Sequence, residues 1–578
     1  MTTPTFSEPR PELVTREIPR TDKPWLEAAS NGDHKAVARL YLGTAGTFLA
    51  VAALLFALTR LQLIVPDNTM IQPEIFYRLL SALQASAVIF FAVPLFCGLI
   101  SYIVPLQIGA RGVALPRLHQ VSYWLYAIGA LTFFASFLYA VPENPLAPFA
   151  PLAYQEYSVT NGTDAWIAGV GLAVLGFLCW AISMAVTLHT MRAPGMAWRR
   201  APIFAWAAAS ISYVLLVIAP VFLAGLTMLM VDRRFDGHFF NALEGGSPLL
   251  FSHLAWIFFA GVHAIILIGA MGAISEIIPT FARKPLFSRG AVAGSLVAIA
   301  VLGVAAYMQN LYTAPLALGV QYATMIVALA LLVPVGLILF NWVATLWDGS
   351  IAPRAPLALA VAATVLLVIG LAGELMTAVM PVAWQLENTT VAQADTILIL
   401  LGGTVLGGFA ALHYWLPKIT GRAVGEGLAK AAAGLIVAGA LVFFVCMTFA
   451  GLEGQPVDVY RFFDGSGLNA YNLIASIAAF LIALGVLLEL GNLAYSYNNG
   501  RRVGHDPWGG STLEWFALSP PPPHNFDAVP DVRSAEPLRD IREAVRARER
   551  AYAPPKPLPR SEPAASGADR AGDGPAVA

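Results

Sequence analysis

The sequence predicts an all-α membrane protein, a bundle of twelve transmembrane helices, and three observations carry that reading. Apolar residues make up 58% of the 578 and charged ones only 12%, about half the share of an ordinary soluble chain; mean hydropathy is +0.68. The charges are pushed to the ends: of 69, residues 1–40 hold 12 and residues 498–578 hold 22, leaving 35 for the 457 residues between. Finally, that middle part divides into apolar runs of about 20 residues, the length that spans hydrocarbon at 1.5 Å per residue.

Taken in order, residues 1–40 are polar and mixed in charge, without the apolar core and cleavage site of a signal peptide, and are expected in the cytoplasm. The transmembrane domain covers 41–497, with spans beginning near Ala45, Ala82, Val121, Trp166, Phe204, Leu250, Gly290, Ala317, Leu357, Thr396, Ala431 and Leu473. One set of loops collects twelve Lys and Arg, among them Arg111, Arg117, Arg199, Arg200, Lys418 and Arg422. The other set holds five: Arg60, Arg78, Arg233, Arg234 and Arg461. The richer side is expected inside, which places both termini in the cytoplasm of a bacterial inner-membrane protein. Residues 498–526 form a cytoplasmic loop. Residues 527–578, rich in Pro and Ala, are expected to be largely disordered around one short helix bearing Leu538, Ile541 and Val545. A net charge of −1 gives no basic run for nucleic acid. Cys97, Cys179 and Cys446 lie in apolar runs without paired spacing, so no disulfide framework or cysteine metal cluster is implied.

Several loop motifs are specific. They are Val104-Pro105-Leu106-Gln107-Ile108-Gly109-Ala110-Arg111, Arg192-Ala193-Pro194-Gly195-Met196, Val231-Asp232-Arg233-Arg234-Phe235 and His253-Leu254-Ala255-Trp256. Longer still are the stretches Tyr414-Trp415-Leu416-Pro417-Lys418-Ile419-Thr420-Gly421-Arg422 and Asp506-Pro507-Trp508-Gly509-Gly510-Ser511-Thr512-Leu513-Glu514-Trp515. Together, in order from about residue 39 to 526, they resemble subunit I of haem-copper oxidases, in particular cytochrome c oxidases. The resemblance implies a twelve-helix bundle in which six histidines hold a low-spin haem, a high-spin haem and a copper ion, imidazole suiting both metals. It also implies association with subunits II and III.

Carried over position by position, the six ligands fall on Gln84, Ala260, Gln309, Asn310, Asp395 and Ile397. The family's proton-path lysine falls on Ile338, the carboxylate at the mouth of its other path on Gly112, its propionate-holding arginine pair on Val457-Asp458, and its magnesium-site His-Asp on Glu387-Asn388. Phe259 stands where the family has glycine, and Ile397 puts a branched apolar side chain into a ligand position, substitutions that suit a core without haem because voids are costly.

Three polar residues remain as a candidate intramembrane site. Glu374, mid-way in the ninth span, is an acid where the family is apolar, and charge inside a bilayer usually has a use. His263 lies three residues after the lost copper ligand, on a neighbouring helix face. Asp395 begins the tenth span and is otherwise a solvated acid. His253 and His413 are expected to be structural. The expectation is therefore a catalytically silent relative of oxidase subunit I, more scaffold than enzyme, needing no cofactor and assembling with other membrane subunits of a respiratory or electron-transfer complex. The alternatives are a terminal oxidase with relocated ligands, which would need haem and copper, and a proton or small-molecule conduit built round Glu374.

Overall fold

The computed structural model describes residues 32–138 and 149–552. Among them twelve helices are long and apolar enough to cross a membrane. They are α1 (His34–Leu61), α2 (Pro73–Gln107), α3 (Pro116–Leu138), α4 (Gly162–Thr190), α5 (Ile203–Arg234), α6 (Pro248–Ala282), α7 (Arg289–Leu311), α8 (Leu318–Leu346), α9 (Ala355–Ala378), α10 (Thr390–Thr420), α11 (Glu426–Leu452) and α12 (Asn469–Asn499). A thirteenth, α13 (Pro537–Tyr552), is short and charged.

The apolar runs mark the spans but not their ends. Helix α1 starts at His34, well before the run at Ala45, because the Asp33 side chain accepts from Lys35 N at 3.0 Å and caps it. Its first turn is then buried: a His34 ring nitrogen donates to Ser101 O at 2.8 Å and Lys35 Nζ to Asn525 Oδ1 at 2.9 Å. Residues 1–31 of the expected N-terminal segment lie outside the described residues.

Most consecutive helices pack side by side, and α12 returns to pack on both α11 and α1. Three helices occupy the centre. The most apolar stretches of α2, α6 and α10 are 89%, 83% and 78% buried, against 28–61% for the other nine spans. These three are apolar all round, as a helix without a solvent face must be. Both α2 and α10 carry a π-helical stretch, Ala85–Ala92 and Leu401–Leu406, a local widening that recurs at functional sites. Where α3 crosses α4 the backbones nearly touch: a Cβ on Gly129 would lie 2.4 Å from Gly169 O, so the contact depends on glycine.

Residues 498–552 lie across one end of the bundle, here called the motif face. The helix expected around Leu538 forms as α13, but the expectation of disorder next to it needs correcting. Val532 N donates to Pro194 O at 3.1 Å, Arg200 Nη1 to Val532 O at 3.1 Å and Leu538 N to Ser511 O at 3.1 Å. Val532 and Leu538 are buried, so these two apolar side chains and their backbone partners hold the segment despite its polar composition. Residues 553–578 lie outside the described residues.

Candidate functional site

On the motif face the loop motifs interlock. Trp508 Nε1 donates to Tyr414 O at 2.9 Å and Trp515 Nε1 to Tyr414 OH at 3.2 Å. Lys418 Nζ donates to Ala517 O at 2.7 Å and His505 O at 3.0 Å. Gln107 Nε2 donates to Glu514 Oε1 at 3.0 Å. Burial, with Glu276 adding repulsion, raises the Glu514 carboxyl to about 7. Deeper in this half, His413 on α10 and Glu489 on α12 sit 2.5 Å apart, and Asn492 Nδ2 donates to the other Glu489 oxygen at 3.2 Å. His413 thus has a buried structural partner. Sequence reasoning missed Glu489, although an acid within Leu487-Leu488-Glu489-Leu490 is the same signal that marked Glu374.

The positions given to metal ligands lie on the three central helices and the end of α7. Gln84 Nε2 donates to Asp458 Oδ2 at 3.3 Å, and Gln393 Nε2, on α10, donates to Asp458 Oδ1 at 3.1 Å. A carboxylate at one of the propionate-holding arginine positions thus joins α2 to α10 through two amides. Burial raises the Asp458 carboxyl above its ordinary value, against the pull of those donors. Beside this bridge is a cavity of about 50 Å³, bordered by Arg60, Gln393, Ile397 and Asp458. It has room for a few waters, whereas sites for drug-sized ligands run to roughly 300–1,000 Å³. On α6 Ala260 offers no donor atom, and Phe259 fills space against Phe258 at 5.5 Å and Phe222 at 5.7 Å between ring centroids. At the end of α7 Asn310 Nδ2 turns back to Tyr307 O at 3.3 Å. Among the described residues no group of three or more His, Cys, Asp and Glu side chains is arranged to hold a metal ion. No imidazole stands at the six positions to which the resemblance carries the haem and copper ligands.

The three candidate polar residues do come together. His263 Nε2 on α6 is 3.3 Å from Glu374 Oε1 on α9. Asp395 on α10 lies against the residue before Glu374: a Cβ on Gly373 would fall 1.9 Å from Asp395 Oδ1. Two expectations change. Glu374 is in the last turns of α9, not mid-way, because the helix starts at Ala355 and stops at Ala378, four residues beyond it. Asp395 is buried, at 1% exposure, and neither of its carboxylate oxygens has a hydrogen-bond partner.

Nine spans around three buried central helices, with loop motifs locked together over one end, define the class: a polytopic subunit with the haem-copper oxidase subunit I fold. Residues 36–481 match the family described as Cytochrome C and Quinol oxidase polypeptide I, and the chain belongs to that family. It is 34% identical to cytochrome c oxidase subunit 1 of Bacillus subtilis (strain 168) over 88% of this chain and 81% of the relative. It is 32% identical to quinol oxidase subunit 1 of the same organism, over 90% and 81%. With a probable cytochrome c oxidase subunit 1-alpha of Streptomyces avermitilis it shares 34% identity over 89% of each chain. In fold it is similar to a heme-copper terminal oxidase dimer solved by cryo-EM, with TM-score 0.68 and 16% identity over 86% of this chain and 88% of that one.

Proposed function

We propose that this chain is a subunit I relative that binds neither haem nor copper and serves as a scaffold for other membrane subunits of an electron-transfer complex. Its motif face, with both termini, lies in the cytoplasm of a bacterial inner membrane. The observation that carries the proposal is the replacement of all six ligand positions as a set, by Gln84, Ala260, Gln309, Asn310, Asp395 and Ile397. The cavity beside Ile397, at about 50 Å³ far smaller than a porphyrin needs, supports it, as does the Gln84–Asp458–Gln393 bridge that ties α2 to α10 next to it.

The 34% identity to a cytochrome c oxidase subunit 1 over most of both chains favours a second reading, a terminal oxidase with relocated ligands. Its buried imidazole candidates are His263 and His413, and each already faces a carboxylate, Glu374 and Glu489. A pyridine haemochrome assay and metal analysis of the detergent-purified complex decide between the two. The scaffold predicts no haem and no stoichiometric copper assignable to this chain, together with co-purifying membrane subunits. Stoichiometric haem on this chain establishes the oxidase instead.

A further inference from the structure

We propose that Arg192, stacked on Trp198 where α4 passes into α5, binds the phosphate headgroup of an anionic phospholipid whose acyl chains lie along the outer faces of these two helices. None of the ligand or proton-path positions carried over from the family falls in this loop.

The charge pattern points to an anion. From residue 165 to residue 231 the chain has three arginines, Arg192, Arg199 and Arg200, and no Asp or Glu. Arg200 is already engaged, its Nη1 donating to Gly195 O at 3.0 Å and to Val532 O at 3.1 Å. Arg192 is not. Its guanidinium lies 4.7 Å over the Trp198 ring, and among the described residues its buried Nη1 has no hydrogen-bond partner. Leaving a buried donor of a charged group unpaired is costly, and phosphate oxygens match the guanidinium fork. The tail docked on this loop carries exposed Asp531 and Arg533 on either side of Val532, one charge of each sign, so the excess of positive charge stands.

The surroundings favour a lipid over a free anion. Arg192 borders, with His189 and Met196, an open cleft of about 330 Å³. The Trp198 ring lies 4.9 Å from Trp206 and 5.4 Å from His189 between centroids, and Trp206 Nε1 donates to Trp198 O at 3.1 Å. Indoles gathered at the ends of two spans sit at the depth of lipid headgroups. The other polar groups here are taken. His189 Nδ1 donates to Ala185 O at 2.8 Å, and the Tyr213 hydroxyl donates to the second ring nitrogen at 3.2 Å. From this cluster an apolar strip runs along the bundle. Ile182 and Leu175 stand seven and fourteen residues before His189 on α4, and Tyr213 and Val217 seven and eleven after Trp206 on α5, spacings that keep to one helix face. These four side chains are 36% to 56% exposed. A free phosphate has no use for such a strip, whereas a phospholipid joins acyl chains to the charged group that basic pockets at helix ends attract.

Native mass spectrometry of the detergent-purified, delipidated protein, titrated with dioleoyl phosphatidylglycerol or dioleoyl phosphatidylcholine, tests the site. The wild type should retain phosphatidylglycerol in preference. Arg192→Gln should weaken that binding about fivefold, the worth of one arginine at an anionic surface, and leave phosphatidylcholine unchanged. Arg501→Gln, an exposed arginine elsewhere on the motif face, should change neither. Equal phosphatidylglycerol binding by Arg192→Gln and the wild type overturns the proposal. So does displacement of the lipid by inorganic phosphate alone, which would make this a free-anion site. If Arg192→Gln does not fold, photoactivatable phosphatidylglycerol decides on the wild type. Cross-links within 175–182 and 213–217 support the site, and cross-links that avoid both stretches, as a partner subunit covering this face would cause, overturn it. Haem content does not enter these measurements, so their outcome is separate from that of the scaffold proposal.

Discussion

The two halves of the bundle are filled differently. Towards the motif face each one described above meets a partner from a distant part of the chain: Lys418 with the 505 and 517 carbonyls, Gln107 with Glu514, His413 with Glu489. In the other half, where the resemblance puts the metals, aromatic and branched side chains take much of the space around the bridge from Gln84 through Asp458 to Gln393, and Asp395 is left with no hydrogen-bond partner. The difference shows what maintains the fold. Pairing on the motif face and close helix crossings locate the twelve spans, and aromatic packing fills much of the other half.

The largest expected effect comes from reopening the repacked half. Phe259 meets Phe222, Phe258 and Trp256 edge to face, so Phe259→Ala should destabilise the protein by roughly 3–5 kcal/mol, transfer and cavity terms together. Denaturant or thermal unfolding of the purified protein measures this. The same sample supplies a second readout: haem content should stay unchanged. If the variant keeps its stability and acquires haem, the half has not repacked and the contrast fails.

How much of this could be read in the sequence follows the same division. The spans were legible because hydrocarbon thickness fixes the length of an apolar run. Their ends were not, since His34 is placed by a cap, nor was the docking of Leu538 in the tail, which rests on a distant segment. Carrying the family's ligand positions over rested on register with the retained motifs. The packing around those positions was only partly legible: Phe259 could be foreseen as filling, but the bridge from Gln84 through Asp458 to Gln393 needs the approach of three segments that are far apart in the chain. Glu374, His263 and Asp395 each stood out as polar residues in apolar surroundings. That they meet depends on how α6, α9 and α10 cross, which no local pattern encodes.

A smaller effect sharpens the motif-face side of the comparison. Glu514 ordinarily ionises near 4.5, and in the folded chain burial raises it to about 7. Between those values the folded state holds the proton more tightly than the unfolded one, so this group's contribution to stability falls as pH rises from about 4.5 through 7 and is level above. Glu514→Gln cannot ionise, and its amide oxygen still accepts from Gln107. The variant should therefore lose part of this pH dependence and exceed the wild type above pH 7 by on the order of 1 kcal/mol or more. Melting temperatures between about pH 5 and pH 8.5 test this. Parallel curves for the two proteins would show that Glu514 is not the titrating group.

The smallest effect concerns the edge of the motif face, where α13 docks. Asp506 accepts from the Gly509 and Gly510 amides at 2.9 and 3.0 Å, and its second oxygen pairs with Arg542, whose Nη1 also donates to Gly510 O at 3.0 Å. One carboxylate thereby shapes the retained turn and holds the tail helix against it. The pair is partly exposed, with side chains at 35% and 14%, so Arg542→Ala should lower global stability by less than about 1 kcal/mol. Its effect should instead be local: backbone hydrogen exchange across 537–547 should accelerate severalfold, because local opening needs little free energy where few apolar contacts hold a segment. Unchanged exchange there would mean that buried Leu538 and Val532 hold the tail without the ion pair. Packing would then secure the margin of the motif face as well, and the contrast between paired and repacked halves would apply to its interior alone.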